Sequence, residues 1–88
     1  MEIAYTDDAL TDIKFWKNSG DIRVQKKIQA LIKELETHPT LGTGQPEQLK
    51  GNLSNFWSRR INKKDRLIYD IDNTSNIITI YSIKGHYK

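Results

Sequence analysis

Cysteine is missing from this 88-residue chain. Its absence excludes a disulfide framework and any cysteine-ligated metal, and it fits a reducing compartment. Long apolar runs are missing as well. The longest span three residues, as in Ile3-Ala4-Tyr5 and Leu67-Ile68-Tyr69, whereas a membrane span needs about 20. Met1-Glu2-Ile3 does not open the basic-then-apolar layout of a secretory signal. Histidine is scarce: His38 and His86 stand 48 positions apart, with no His-x-x-x-His or Asp-x-Asp pattern to supply metal ligands. Gly42-Thr43-Gly44 is not followed by the lysine and hydroxyl of a phosphate-binding loop, and no Gly-x-Ser-x-Gly elbow occurs. These absences set the expectation of a soluble, cytoplasmic protein with no membrane segment, no metal and no other cofactor.

What is present is a small, basic, aromatic-containing chain. Its length allows one domain, residues 1–88, and burial of only roughly 60–65% of the unfolded surface, so an active site must lie near the surface. Hydrophobic residues make up 36% and charged residues 28%, with two Phe, two Trp and four Tyr, which is too apolar and aromatic for a disordered chain. The net charge of +3 is lopsided. Residues 1–43 carry six Lys/Arg and seven Asp/Glu, whereas residues 44–88 carry eight and four. The densest stretch holds Lys50, Arg59, Arg60, Lys63, Lys64 and Arg66 against Asp65 alone. Cations interleaved with Phe56 and Trp57 suit an RNA or DNA backbone and its bases. A charged sheet edge that resists edge-to-edge pairing is the plainer reading, and composition separates the two only slightly.

Residues 1–5 read as a short strand. Thr6 is an N-cap candidate, and Asp7 and Asp8 suit the positive end of a helix. That helix places Ala9, Leu10, Ile13 and Trp16 on one face and stops near Asn18-Ser19-Gly20. A second helix begins near Asp21, with Val24, Ile28, Leu31, Ile32 and Leu35 at helical spacing. It ends at Thr37-His38-Pro39, because proline cannot continue the hydrogen-bond ladder. Residues 41–46, with two glycines and a proline, form a loop. Strands are expected at 56–61, 66–72 and 77–84, joined by polar turns at 62–65 and 73–76. The order β-α-α-β-β-β predicts an α+β fold, an antiparallel sheet covered on one face by a helical hairpin. A last turn centred near Asn73-Thr74 sets Arg66 opposite Tyr81 or Ser82. Arg59, Arg60, Arg66 and the tail beyond Lys84 then gather at one end of the sheet.

With metal and nucleophile motifs absent, general acid–base chemistry on a basic platform is what remains. By their own context the candidates stay open. His38 reads as helix-end punctuation. His86 stands evenly between a frayed terminus and a functional group beside the basic cluster. Glu47 reads as a surface acid in a loop, and Trp57 as a core or rim packer.

A longer pattern changes the weighting. Gln45-Pro46-Glu47-Gln48-Leu49-Lys50 runs directly into Gly51-Asn52-Leu53-Ser54-Asn55-Phe56-Trp57-Ser58-Arg59-Arg60-Ile61. With Asp65-Arg66-Leu67-Ile68-Tyr69 and the closing Gly85-His86-Tyr87, the chain resembles the YoeB-type toxins of the Txe/YoeB family, within the RelE-like toxin–antitoxin endoribonucleases. The resemblance covers essentially the whole chain. It implies a RelE-like, microbial-ribonuclease-like fold and an mRNA interferase that enters the ribosomal A site, cuts the message and inhibits translation. It places the general base on Glu47, the general acid on His86 and the scissile-phosphate arginine on Arg66. Lys50, Arg59, Arg60 and Tyr87 match positions that line the site and bind RNA. It further implies a cognate YefM-type antitoxin that masks the site, operator DNA bound only by the toxin–antitoxin complex, and a homodimer. Two departures stand out: Gln45 replaces a common lysine, and Lys88 follows the tyrosine on which many relatives end.

The implied reaction suits the residues. RNA supplies its own nucleophile in the 2′-hydroxyl, so cleavage needs a base, an acid for the leaving 5′-oxygen and cations around the phosphorane. A glutamate is ionised at neutral pH, and a histidine beside phosphate can be protonated there. The rival is a non-catalytic nucleic-acid-binding module that represses by occupancy, which would tolerate loss of Glu47 and His86. An inactivated relative that only titrates antitoxin is a third reading, and the intact Glu47, Arg66 and His86 argue against it.

Overall fold

The computed structural model describes residues 1–51 and 55–85. Strand β1 (Glu2–Tyr5) leads into helix α1 (Asp7–Ser19) and helix α2 (Ile22–Leu35). Strands β2 (Glu47–Gln48), β3 (Phe56–Arg60), β4 (Arg66–Asp72) and β5 (Ile77–Ser82) follow. The helix starts agree with the sequence chemistry. Thr6 Oγ1 accepts the Ala9 N–H at 3.1 Å and Asp21 Oδ1 accepts the Val24 N–H at 3.1 Å, each satisfying a donor that a first helical turn leaves free. Val24, Ile28, Leu31 and Leu35 form the buried stripe of α2. In α1 the inward stripe is Ala9, Ile13 and Trp16, whereas Leu10, expected there, is exposed.

The fold is the expected α+β arrangement, with two departures in the sheet. Its order is β1-β5-β4-β3-β2, and it is mixed, not wholly antiparallel: β1 runs parallel to β5, with Glu2 opposite Ile77. No hairpin joins these strands, so no turn signal in the sequence announces their pairing. The fifth strand, β2, falls on residues read as loop and is only two residues long, too short to show a period. Helix-facing residues Leu67, Tyr69, Ile78 and Ile80 join the helical stripes in the core, with Trp57 and Ile71 packed against it. Trp57 thus packs as the plainer reading expected. Alternation turns Phe56, Ser58, Arg60, Arg66, Ile68 and Asp70 to the opposite, open face.

The turns fix how residues align on that face. Asn62 Oδ1 accepts the Lys64 and Asp65 N–H groups, and Asp72 Oδ1 accepts those of Thr74 and Ser75, the side-chain turns that Asn and Asp favour. Asp72 pairs with Ile77, but Ile68 pairs with Ser82, so one extra residue enters β5 beside the Ile68/Tyr69 step. The turn itself centres between Thr74 and Ser75, one residue later than expected, which moves partners on β5 two positions on. The bulge adds one more, so both carry Arg66 past Tyr81 and Ser82. The Arg66 N–H instead donates to the Gly85 carbonyl at 2.9 Å.

Candidate active site

Glu47 reaches the open face through β2. It pairs with Ser58, Ser58 with Ile68, and Ile68 with Ser82, giving one row across four strands. The adjacent row sets Arg60 opposite Arg66 and brings Gly85 to the Arg66 main chain. Glu47 and Arg66 are therefore two strands and two residues apart on one face. Standard sheet spacings put their Cα atoms about 12 Å apart. Phe56 and Tyr81 meet edge-on at 4.9 Å beside this row, and Tyr81 Oη donates to Asp70 Oδ2 at 3.1 Å.

The Arg66 guanidinium is steered by main chain. Its Nη1 donates to the Asn62 carbonyl at 3.0 Å and to the Asp65 carbonyl at 3.2 Å. Arg60 is exposed beside it, and Lys50 is exposed just beyond β2. A cleft lined by Lys27, Gly44, Gln45, Arg60 and Lys63 continues the positive surface around the end of β3. No acid pairs with Lys27, Arg60 or Lys63 among the described residues, which suits a polyanion.

Arg59 requires a correction. The expected RNA contact does not fit its position, because alternation turns it away from Glu47 into the protein, where it is 0% exposed. Its donors are taken by protein acceptors: Tyr69 Oη at 3.2 Å, Glu34 Oε1 at 2.5 Å, and the carbonyls of Thr43 at 3.2 Å, Leu41 at 2.9 Å and His38. Tyr69 Oη in turn donates to the Pro39 carbonyl at 2.6 Å. Arg59 thus holds the 38–44 segment, whose sequence offers no core residues, against the sheet. The Arg60 N–H donates to the Gly44 carbonyl, and a Cβ on Gly44 would lie 3.0 Å from the Arg60 carbonyl and 3.2 Å from Arg59 Cβ. With φ at +86°, this close approach suits glycine. The clamp delivers the chain to Pro46 and Glu47. His38 supplies its carbonyl to the clamp and donates its N–H to the Glu34 carbonyl at 2.8 Å, as helix-end punctuation.

Glu34 is the acidic partner that sequence reasoning passed over. The Thr43 N–H lowers its pKa most, with Arg59 and the Thr43 hydroxyl adding to the effect. A carboxyl depressed in the folded state contributes stability that is complete above its unfolded pKa and lost as pH falls through the folded value. The midpoint of denaturant unfolding should therefore fall below about pH 5, and Glu34→Gln should flatten that fall. The remaining slope would include Asp72, whose carboxyl the Ser75 and Thr74 groups also lower. Identical acid slopes for Glu34→Gln and wild type would contradict the assignment.

The end of β5 is also fixed by side chains that no motif announced. Trp16 Nε1 donates to the Ile83 carbonyl at 2.8 Å, and Asp12 Oδ2 accepts the Ile83 N–H at 2.9 Å. Asp65 Oδ1 accepts the Gly85 N–H at 2.8 Å. The proposed acid His86 and the proposed RNA contact Tyr87 lie outside the described residues, and their neighbour Gly85 is held beside Arg66.

A five-stranded sheet backed by a helical hairpin, with an acid and clustered arginines on its open face, defines the RelE-like class of small toxins. Residues 5–87 match the sequence model of the YoeB-like toxin of bacterial type II toxin–antitoxin systems, and the chain belongs to that family. It is 39% identical over 87 residues to Toxin YoeB of Escherichia coli K12, covering 99% of this chain and 100% of the relative. Its fold matches the YoeB/ParE toxin from Agrobacterium tumefaciens with a TM-score of 0.91 at 32% identity, over 99% and 100% of the two chains. It also matches YoeB of Staphylococcus aureus at 39% identity, over 99% of this chain and 98% of that one. That protein was solved as a dimer, with a TM-score of 0.85, and in a heterotetrameric YoeB–YefM toxin–antitoxin complex, with a TM-score of 0.83.

Proposed function

We propose that this toxin is a ribosome-dependent mRNA endoribonuclease that cuts in the A site by metal-free attack of the 2′-hydroxyl. The observation that carries the reading is the placement of Glu47 and Arg66 on one open sheet face, with the residue preceding His86 bonded to the Arg66 main chain. Glu47 takes the 2′-hydroxyl proton, and the oxygen attacks the adjacent phosphorus. Arg66 stabilises the charge that gathers on the phosphorane oxygens, and His86 protonates the departing 5′-oxygen. Lys50, Arg60 and Tyr87 hold the RNA. The products are a 2′,3′-cyclic phosphate and a 5′-hydroxyl.

The chemistry of the ends tests this directly. Fragments should carry a 5′-hydroxyl, and a single 2′-deoxy substitution at the cut position should block cleavage there. A 5′-phosphate, or cutting that survives the 2′-deoxy substitution, would overturn the mechanism. Arg66→Ala should remove about 2.7–4 kcal/mol of transition-state stabilisation, a rate loss of about 10²–10³. Single-turnover cleavage at saturating protein measures it, and a normal rate would take Arg66 out of the reaction.

The S. aureus complex supports a YefM-type antitoxin as partner, and the dimer of that relative supports self-association here. An acidic or apolar antitoxin segment laid over the Glu47–Arg66 face would block RNA. Operator DNA is then bound by the complex, not by the toxin alone.

A further inference from the structure

Asp65 occupies the junction between the two ends of the proposed reaction, and neither the site assignment nor the basic character of its neighbourhood explains an acid there. It follows Lys63 and Lys64 and precedes Arg66, yet no Lys or Arg side chain forms an ion pair with it among the described residues. It is half-buried, and its carboxylate is spent on main chain. Its carboxylate Oδ1 accepts the Gly85 N–H at 2.8 Å. Its carbonyl accepts the Ile61 N–H at 3.0 Å and Arg66 Nη1 at 3.2 Å. Its own N–H donates to Asn62 Oδ1 at 2.7 Å. The next residue closes the loop, because the Arg66 N–H donates to the Gly85 carbonyl at 2.9 Å.

Gly85 is consequently held at both its N–H and its carbonyl, by consecutive residues of one turn. It adopts φ +82°, which glycine takes without strain. The chain leaves this residue directly into His86. The ladder between β4 and β5 ends at Ile68 and Ser82, so beyond it the Asp65 and Arg66 bonds to Gly85 take over the task of registering the two chains. We propose that Asp65 is a positioning residue, whose carboxylate fixes the departure point of the His86 segment while its carbonyl orients the Arg66 guanidinium. The acid and the phosphate clamp are thereby set against each other by one residue that touches neither RNA nor leaving group.

This inference rests on the nuclease reading, and the test separates the two. Asp65→Ala removes the acceptor for Gly85, whereas Asp65→Asn keeps an acceptor oxygen and removes the charge. Misplacement on the order of 1 Å costs about 10²-fold in rate, and that is the loss expected for Asp65→Ala in single-turnover cleavage on programmed ribosomes. Affinity for ribosomes programmed with a message made 2′-deoxy at the cut site should stay within about twofold, the signature of a kcat effect without a binding effect. Asp65→Asn should restore most of the rate. Amide exchange at Gly85, followed by NMR in the free toxin, should quicken in Asp65→Ala and not in Asp65→Asn.

Wild-type cleavage rates in Asp65→Ala, or equal losses in the two variants, would overturn the positioning role and leave the nuclease reading standing. Unchanged Gly85 exchange in Asp65→Ala would overturn the anchoring independently of any activity. A wild-type protein that cuts no RNA would remove the nuclease reading and this inference together.

Discussion

Glu47→Ala is expected to lower the single-turnover cleavage rate by about 10²–10⁴, the range for loss of a general base, with little change in ribosome binding. The side chain stands on a two-residue edge strand and is exposed, so its removal leaves no cavity and exposes no unpaired buried group. The fold should be unaffected, and circular dichroism with thermal unfolding checks that. Glu47→Gln should be nearly as slow, because the amide keeps the shape and loses the basicity. His86→Gln should show a loss of the same order through the leaving-group oxygen. If Glu47→Ala cut at close to the wild-type rate, the base would have to be another group, and the row of residues on the open face would lose its chemical meaning.

The second large effect concerns stability. Arg59→Met should cost several kcal/mol, because each buried acceptor left without its donor costs about 1–3 kcal/mol, while the partly exposed Glu34 carboxylate can turn to water. It leaves Glu34, the Thr43 and Leu41 carbonyls and Tyr69 without their shared donor. For a chain of 88 residues, total stability is on the order of 4–13 kcal/mol, so the loss is a large share of it. The unfolding midpoint should drop by more than about 10 °C. Arg59→Lys should recover little, since an ammonium cannot reproduce a planar fork that serves five acceptors. Arg60→Met, one residue away and exposed, should stay within about 0.5 kcal/mol. Equal costs at the two positions in denaturant titrations would show that the Arg59 clamp does not hold the 38–44 segment.

These neighbours also show what the sequence could and could not disclose. Arg59 and Arg60 look alike in a basic run, and only strand alternation across β3 separates an internal clamp from a surface cation. Alternation is readable once the strand is placed, and the missing cue was Tyr69, which shares the inward face and needs a hydroxyl partner when buried. The helices were legible because their stripes and caps are local: Thr6, Asp21 and the Val24–Leu35 spacing carry the information within one or two turns. The last two hairpins were legible because Asn62 and Asp72 mark their turns. The parallel β1–β5 pairing and the two-residue β2 were not, because long-range pairing leaves no local signature. The bulge in β5 was equally silent, and together with a turn centred one residue later than Asn73-Thr74 it shifted Arg66 from Ser82 toward Gly85. That shift gives Asp65 its place, a role that composition alone would have assigned to charge balance. The Glu47, Arg66 and His86 pattern came from family resemblance, since each residue taken singly reads as ordinary surface chemistry.

The most direct test of the whole account maps RNA ends on a defined message, with and without programmed ribosomes, using wild type beside Glu47→Ala. Discrete cuts at the A site are expected with wild type, present only when ribosomes are, and absent with the variant. Equal stalling of translation by both proteins without new RNA ends would contradict it, and would mark this toxin as a binder that acts by occupancy.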